Sequence, residues 1–366
     1  MAREALTTIR LPGRPTVVGT GLVALDVVYN PNSNRPPRWY AGGTCGNVLT
    51  VLSYLGWESI PVSRLAPGLA GDRLLEDLRQ WNVSTEFVSR EEEGSTPVII
   101  ERIGRTNAGK PYHKFLWRCP TCGAHLPGYR PVPATAARQL APVLPAAQVF
   151  FFDRVSRGAL VLAETCARGG AVVVFEPSGI GDPSLFCEAW RLAHVVKYSH
   201  ERLRDLAELQ LMRTHGEPVL LEVETLGSEG LRYRSCLPDS RIRGWQTLDA
   251  IHIPEVKDTA GSGDWCTAGL LDKLARAGLT GLKRTSADRL PEAIRHGQAL
   301  AAWNCGFEGA RGGMYEMESS EFYKQVKRIA SGSKSPSRTV GQHGPPAGPS
   351  LGGMCPACDD VDGENG

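Results

Sequence analysis

Asp258-Thr259-Ala260-Gly261-Ser262-Gly263-Asp264 runs directly into Trp265-Cys-Thr-Ala-Gly-Leu-Leu-Asp-Lys-Leu-Ala-Arg-Ala277, a stretch with helical apolar spacing. Gly261 and Gly263 let the backbone turn so that its amides face inward where a helix starts. Unpaired N–H groups and the positive end of the helix dipole then converge on one point, which makes an anion site. Asp264 stands at that point. An ionised carboxylate there is placed to take the proton of a substrate hydroxyl as its oxygen attacks a γ-phosphoryl group. A base beside charge-stabilising amides is what phosphoryl transfer to an alcohol requires. The same residues also suit a glycine-rich turn in which Asp264 only caps the helix. Taken alone, the stretch leaves both readings open.

Composition narrows the setting. In 366 residues, 41 Lys+Arg against 39 Asp+Glu leave a net charge of +2. Neither sign dominates, so no nucleic-acid or membrane-surface partner is expected. A hydrophobic share of 42% fits a globular chain. No apolar run approaches the ~18 residues of a membrane span, and Met1–Arg10 lacks the apolar centre of a secretory signal. A cytoplasmic location is the expectation. Ten cysteines are too sparse for a disulfide scaffold of this length.

Outward from the motif, short apolar runs read as strands: Thr16–Val18, Leu25–Tyr29, Val98–Ile103, Gln148–Phe152, Ala171–Phe175, His194–Lys197, Pro218–Val223 and Gly230–Tyr233. Helical patterns lie between many of them, at Val48–Leu55, Arg73–Trp81, Ala159–Ala167 and Glu201–Met212. Val172-Val-Val-Phe175 is apolar throughout, as in strands covered on both faces. Alternation of this kind predicts a mostly parallel α/β sheet. Gly19-Thr-Gly21-Leu-Val-Ala24 has the spacing of a dinucleotide fingerprint, but a β-branched run follows it where a helix is needed. Gly104-Arg-Thr-Asn-Ala-Gly109-Lys110 resembles a Walker A loop, yet Pro111 replaces the Mg²⁺-binding hydroxyl, and a hairpin loop explains it better.

Asp258–Asp264 also resembles the D-T-x-G-[AS]-G-D signature of ribokinase-like (PfkB-type) carbohydrate kinases. Gly42-Gly43-Thr-Cys-Gly-Asn47, Leu55-Gly56 and Gly71-Asp72 are similar to that family's N-terminal pattern, and Thr225-Leu-Gly227-Ser-Glu-Gly230 is similar to its nucleotide turn. The resemblance spans roughly Val17 to Ala330. It implies a three-layer α/β fold with a mostly parallel central sheet and a small β lid from about 30–40 and 94–130. It also implies a kinase domain over 1–330 that uses ATP and Mg²⁺, with a monovalent cation as a further candidate. Asp264 would be the base, and Ala260, Gly261, Ser262 and Gly263 the anion hole. Asp26, Gly42, Gly43 and Asn47 would bind the acceptor, and Thr225, Gly227 and Gly230 the nucleotide. The implied acceptor is a sugar, nucleoside or similar polyol. A regulator that keeps the fold and binds ligands without catalysis is the alternative from another class. Pairing of lids would make a homodimer.

Several positions depart from the pattern. Where relatives carry K-x-N-x-x-E, this chain has Lys197-Tyr-Ser-His-Glu-Arg202, so Ser199 and Arg202 replace the Asn and Glu that organise the Mg²⁺ water shell. Glu176-Pro-Ser178 stands in place of an Asp-x-Asn triplet. Trp265 follows the presumed base where a small residue is common, which predicts a narrowed pocket.

Beyond Ala330 the chain changes character. From Ser331 to Gly353, 15 of 23 residues are Gly, Pro or Ser, a flexible-linker composition. The tail 354–366 then carries Cys355-Pro-Ala-Cys358, which matches Cys119-Pro-Thr-Cys122 in the expected lid. C-P-x-C is a zinc-knuckle spacing, and two knuckles supply the four thiolates of a closed structural Zn²⁺ site. The linker is long enough to bring them together in one chain or to reach a partner subunit. His125 is an alternative fourth ligand, and metal-free thiols or redox pairs are the other readings.

Overall fold

The computed structural model describes residues 13–31, 36–106, 111–203, 219–332, 355, 357 and 358. Thirteen strands are formed by the described residues: β1 (Thr16–Thr20), β2 (Ala24–Tyr29), β3 (Arg38–Gly42), β4 (Glu58–Leu65), β5 (Val88–Arg90), β6 (Val98–Arg105), β7 (Pro111–Leu116), β8 (Val149–Phe152), β9 (Val172–Phe175), β10 (Val195–Ser199), β11 (Leu221–Thr225), β12 (Leu231–Ser235) and β13 (Ile242–Leu248). Nine of them make one sheet in the order β13-β12-β11-β10-β9-β8-β1-β4-β5. Its pairs are parallel from β5 through β11, and β12 and β13 close the far edge antiparallel.

Alternation along the strands sorts the core onto two faces. Val17, Val149, Phe151, Val172 and Val174 point to one face and pack with the helices Thr44–Tyr54, Ser262–Leu274, Arg289–Asn304 and Ser319–Ala330. Val18, Phe150, Phe152, Val173 and Phe175 point to the other and meet Arg157–Arg168 and Pro183–Leu192. These are the three layers. The helix starts are specified locally: Ser156 Oγ accepts from the Ala159 amide at 3.1 Å, and Asp182 Oδ1 from the Leu185 amide at 2.9 Å, with Pro183 in the first turn.

A second sheet, ordered β3-β2-β6-β7, stands apart from the first. The chain leaves β1 at Gly21 and enters β2 three residues later, so the apolar run from Thr16 to Tyr29 serves two sheets. The sequence showed no strand at β4, which lies beside β1, because Pro61 interrupts Glu58-Ser-Ile-Pro-Val-Ser-Arg-Leu65. Pro61 is tolerated because β5 joins β4 only from Ser63, so the missing N–H lies where no neighbouring strand requires it. The expected helix Glu201–Met212 falls largely outside the described residues, as do 107–110 of the presumed hairpin loop. β6 and β7 on either side of that loop do pair antiparallel. Among the described residues no helix is long and apolar enough to cross a membrane.

Candidate active site

The parallel strands present their carboxyl ends in a row: Gly21 after β1, Asp153 after β8, Glu176 after β9, Ser199 closing β10 and Thr225 closing β11. Ligands of open α/β sheets bind at such an edge. The Asp258–Asp264 motif lies against it. Gly261 caps the helix Ser262–Leu274 with φ +71°, and a Cβ there would come within 2.4 Å of the Ala310 carbonyl oxygen, so only glycine makes this turn.

Of the four residues expected to offer amides, two have theirs engaged inside the loop. The Ala260 N–H donates to Asp258 Oδ1 at 3.0 Å, and the Ser262 N–H to the Thr259 carbonyl at 3.2 Å. Gly261, Gly263 and Asp264 supply the first-turn amides that remain for an anion. Asp264 is partly exposed at the mouth of this turn and accepts from Asn47 Nδ2 at 2.8 Å, so the N-terminal and C-terminal signatures meet in one hydrogen bond. Burial pushes its carboxyl up to about 8, with Glu176 adding to the rise and Asn47, Lys197 and Arg202 opposing it.

Behind the turn, Lys197 Nζ donates to Glu176 Oε1 at 2.6 Å, and Thr267 of the motif helix donates to Glu176 Oε2. Both charged ends lie 3.7 Å from where a Cβ of Gly263 would sit. Glu176, singled out in the sequence as a departure, is therefore the counter-ion of the buried Lys197. Trp265 does not narrow the pocket. It is fully buried among Tyr54, Trp303 and Phe322, and its Nε1 donates to the Ala310 carbonyl.

The residues expected to bind the acceptor lie on β2, β3 and the helix Thr44–Tyr54. Asp26 Oδ2 accepts from the Gly43 amide at 3.4 Å, while Asp26 Oδ1 is buried with no hydrogen-bond partner among the described residues. Burial raises its carboxyl to about 7, partly offset by that amide and by Arg311. Arg311 was not anticipated from the sequence. Fully buried, it donates from Nε to Asn47 Oδ1 at 3.1 Å and from Nη2 to Asp77 Oδ2 at 2.7 Å, and its Nη1 also lacks a partner. Asp26 Oδ1 and Arg311 Nη1 are thus a buried acceptor and a buried donor without partners among the described residues, which buried polar atoms seldom are. A Cβ on Gly42 would lie 1.8 Å from Asp26 Oδ2. Gly42→Ala therefore displaces Asp26 and is expected to lower kcat/KM for the acceptor roughly 10²-fold, read in steady-state kinetics.

The lid strands reach the same motif. His113 Nδ1 of β7 lies 3.0 Å from Asp258 Oδ1, and Glu101 of β6 brings a carboxylate oxygen within 4.8 Å of both. Although burial works against it, Asp258 is held below the usual carboxylate range by His113 and by the Ala260 and Gly309 amides, whereas burial and then Asp258 push the Glu101 carboxyl up. Thr225, Gly227 and Gly230 occupy the turn after β11, where the Leu226 amide bonds the Gly230 carbonyl at 2.8 Å and Thr225 Oγ1 bonds the Tyr198 carbonyl at 3.3 Å. On the turn after Ser199, Glu201 and Arg202 are exposed, and Arg202 brings positive charge toward Asp264. Cys119, Cys122, Cys355 and Cys358 form a second cluster, their sulfurs all within 4.8 Å of one another.

No family model matches the sequence. Mouse (Mus musculus) ketohexokinase is 32% identical over 103 residues, which are 26% of this chain, so the match spans only about a third (35%) of that relative's length. Among solved structures, aminoimidazole riboside kinase from Salmonella enterica, complexed with aminoimidazole riboside and an ATP analogue, superposes with a TM-score of 0.62 at 21% identity, over 85% of this chain and 99% of that one. Fructokinase from Xylella fastidiosa with bound ATP gives 0.64 at 18% identity, over 86% and 98%. The chain has the fold of the ribokinase-family sugar and nucleoside kinases.

Proposed function

We propose that the protein is an ATP-dependent kinase that phosphorylates a hydroxyl of a sugar or sugar-like small molecule. The observation that carries this is the Asn47–Asp264 hydrogen bond at a helix start with free amides: a carboxylate oriented by an amide side chain, at the one point where an anion is stabilised. In the reaction the acceptor oxygen forms a bond to the γ-phosphorus as the bond from that phosphorus to the ADP oxygen breaks, and the hydroxyl proton passes to Asp264. Asn47 and Asp26 orient the acceptor, and the amides of Gly261, Gly263 and Asp264 bear the charge on the transferring group. Glu201, exposed on the turn after Ser199, would hold the water shell of a nucleotide-borne Mg²⁺, whose chemistry there would be charge neutralisation. Thr225, Gly227 and Gly230 line the nucleotide side. The lid of β2, β3, β6 and β7 shields the acceptor from water, which would otherwise take the phosphoryl group.

Of the three aromatics near the lid suited to stacking on a base, Trp39 and Tyr40 are buried in the core while Trp117 is exposed beside β7, so sugar and nucleoside acceptors are both put to the test. The test is ADP release from ATP across a panel of sugars, nucleosides and polyols. Acceptor-dependent ADP identifies the substrate class. Binding of ATP or a polyol without any turnover would replace the kinase reading with a ligand-binding regulator.

A further inference from the structure

We propose that Cys119, Cys122, Cys355 and Cys358 of one chain bind a structural Zn²⁺ that fastens the C-terminal tail to the loop leaving the lid. Cys119 Sγ lies 3.7 Å from Cys358 Sγ, and Cys122 Sγ lies 3.6 Å from Cys355 Sγ. A tetrahedron of thiolates with Zn–S bonds of about 2.3 Å has S···S edges of roughly 3.8 Å, whereas a disulfide closes to about 2.05 Å. The sulfurs are therefore spaced for a shared metal and not for oxidation to either cross-pair.

The two knuckles repeat one local design. In each, backbone amides point at the first sulfur: those of Thr121 and Cys122 at Cys119, and those of Ala357 and Cys358 at Cys355. Such N–H···S contacts stabilise thiolate charge around a metal. Each turn is also closed by backbone, Gly123 N–H to the Cys119 carbonyl at 2.9 Å and Cys358 N–H to the Cys355 carbonyl at 2.8 Å. Cys119 and Cys355 are buried and Cys122 is exposed, so the site opens to water on one side. His125 stands outside the cluster, its backbone bridged to Arg118. The ligand set is all thiolate and closed, which selects zinc in a structural and not a catalytic role.

The placement gives the metal a task. Downstream of the knuckle, the Pro127 carbonyl accepts from the Val98 amide of β6 at 3.2 Å, the Gly128 carbonyl accepts from Ser95 Oγ at 2.5 Å, and Tyr129 packs on Leu22, Ala24 and Ile99. Ala24 and Ile99 lie on the strands that carry Asp26 and Glu101. Fixing Cys119 and Cys122 to the tail thus holds a loop that braces the proposed acceptor wall.

The full-length protein, purified untagged from zinc-supplemented cells, is expected to hold one zinc per chain by plasma mass spectrometry and to release it as an organomercurial titrates four thiols. Cobalt exchanged into the wild-type protein should give the visible absorption of tetrahedral thiolate coordination. Cys355→Ser/Cys358→Ser should remove both signals while Asp264→Asn keeps them, and this reading does not depend on kinase activity. Wild-type protein without zinc and without a thiolate cobalt spectrum overturns the site. Zinc retained in full by Cys355→Ser/Cys358→Ser overturns the tail's part in it, whatever the outcome with sugars and ATP.

Discussion

Asp264→Asn is expected to lower kcat by roughly 10²–10⁴-fold, the usual share of a general base, with the protein still folded. The amide keeps the shape of the carboxylate and an oxygen to accept from Asn47 Nδ2, so the orientation survives while the proton acceptor is lost. Coupled measurement of ADP release reads the loss directly. The wild-type pH profile follows from the same group. A base acts only when ionised, and with its carboxyl pushed up to about 8, kcat/KM should rise with pH until it levels above that value. Stability runs the other way. Between the ordinary carboxylate value of 3.8 and about 8, the folded protein holds a proton that the unfolded chain has released, so stability falls as pH rises across this window. The amide introduced by Asp264→Asn cannot ionise, so at pH 8 the variant should melt at a higher temperature than wild type, and the difference should vanish below pH 4. A variant that is both inactive and more stable is the signature of a strained functional residue. If the variant keeps wild-type turnover, Asp264 is not the base.

Arg311→Met should be the most destabilising single change, by about 3–5 kcal/mol, the cost of stranding one member of a buried ion pair. Arg311 ties Asp77, Asn47 and the Ala41 carbonyl together, and Tyr315 completes the set by donating to Asp77 Oδ1 at 2.6 Å. Urea unfolding measures the loss. Adding Asp77→Asn should recover part of it, because no uncompensated charge then remains, and the two changes should be strongly non-additive. A loss below about 1 kcal/mol, the worth of an exposed pair, would show that the guanidinium is not the keystone of this network.

The elements that were legible in the sequence are those specified locally. The Asp258–Asp264 turn announces itself because its glycine spacing leads straight into a helical pattern. Val172–Phe175 does so because a strand covered on both faces is apolar throughout. β4 was illegible because what licenses Pro61 is the late arrival of β5, a fact of sheet topology. Trp265 was misjudged because its direction is set by Trp303 and Phe322, far along the chain. Arg311 gave no signal at all: an arginine beside two glycines reads as a surface turn, and its burial depends on partners 234 and 264 residues away.

Those separations also set a timetable for biosynthesis. The proposed acceptor site is drafted early, in β2, β3 and the helix carrying Asn47, yet the arginine that bonds Asn47 is translated 264 residues later. At about 5–20 residues per second, the 234 residues between Asp77 and Arg311 take roughly 12–47 seconds, during which Asp77 lacks this guanidinium. The nascent N-terminal half must pass this interval with the most polar part of its future core still incomplete, and the tail cysteines emerge later still. The network that joins Asp77, Asn47 and the Ala41 carbonyl can therefore close only when synthesis is nearly finished.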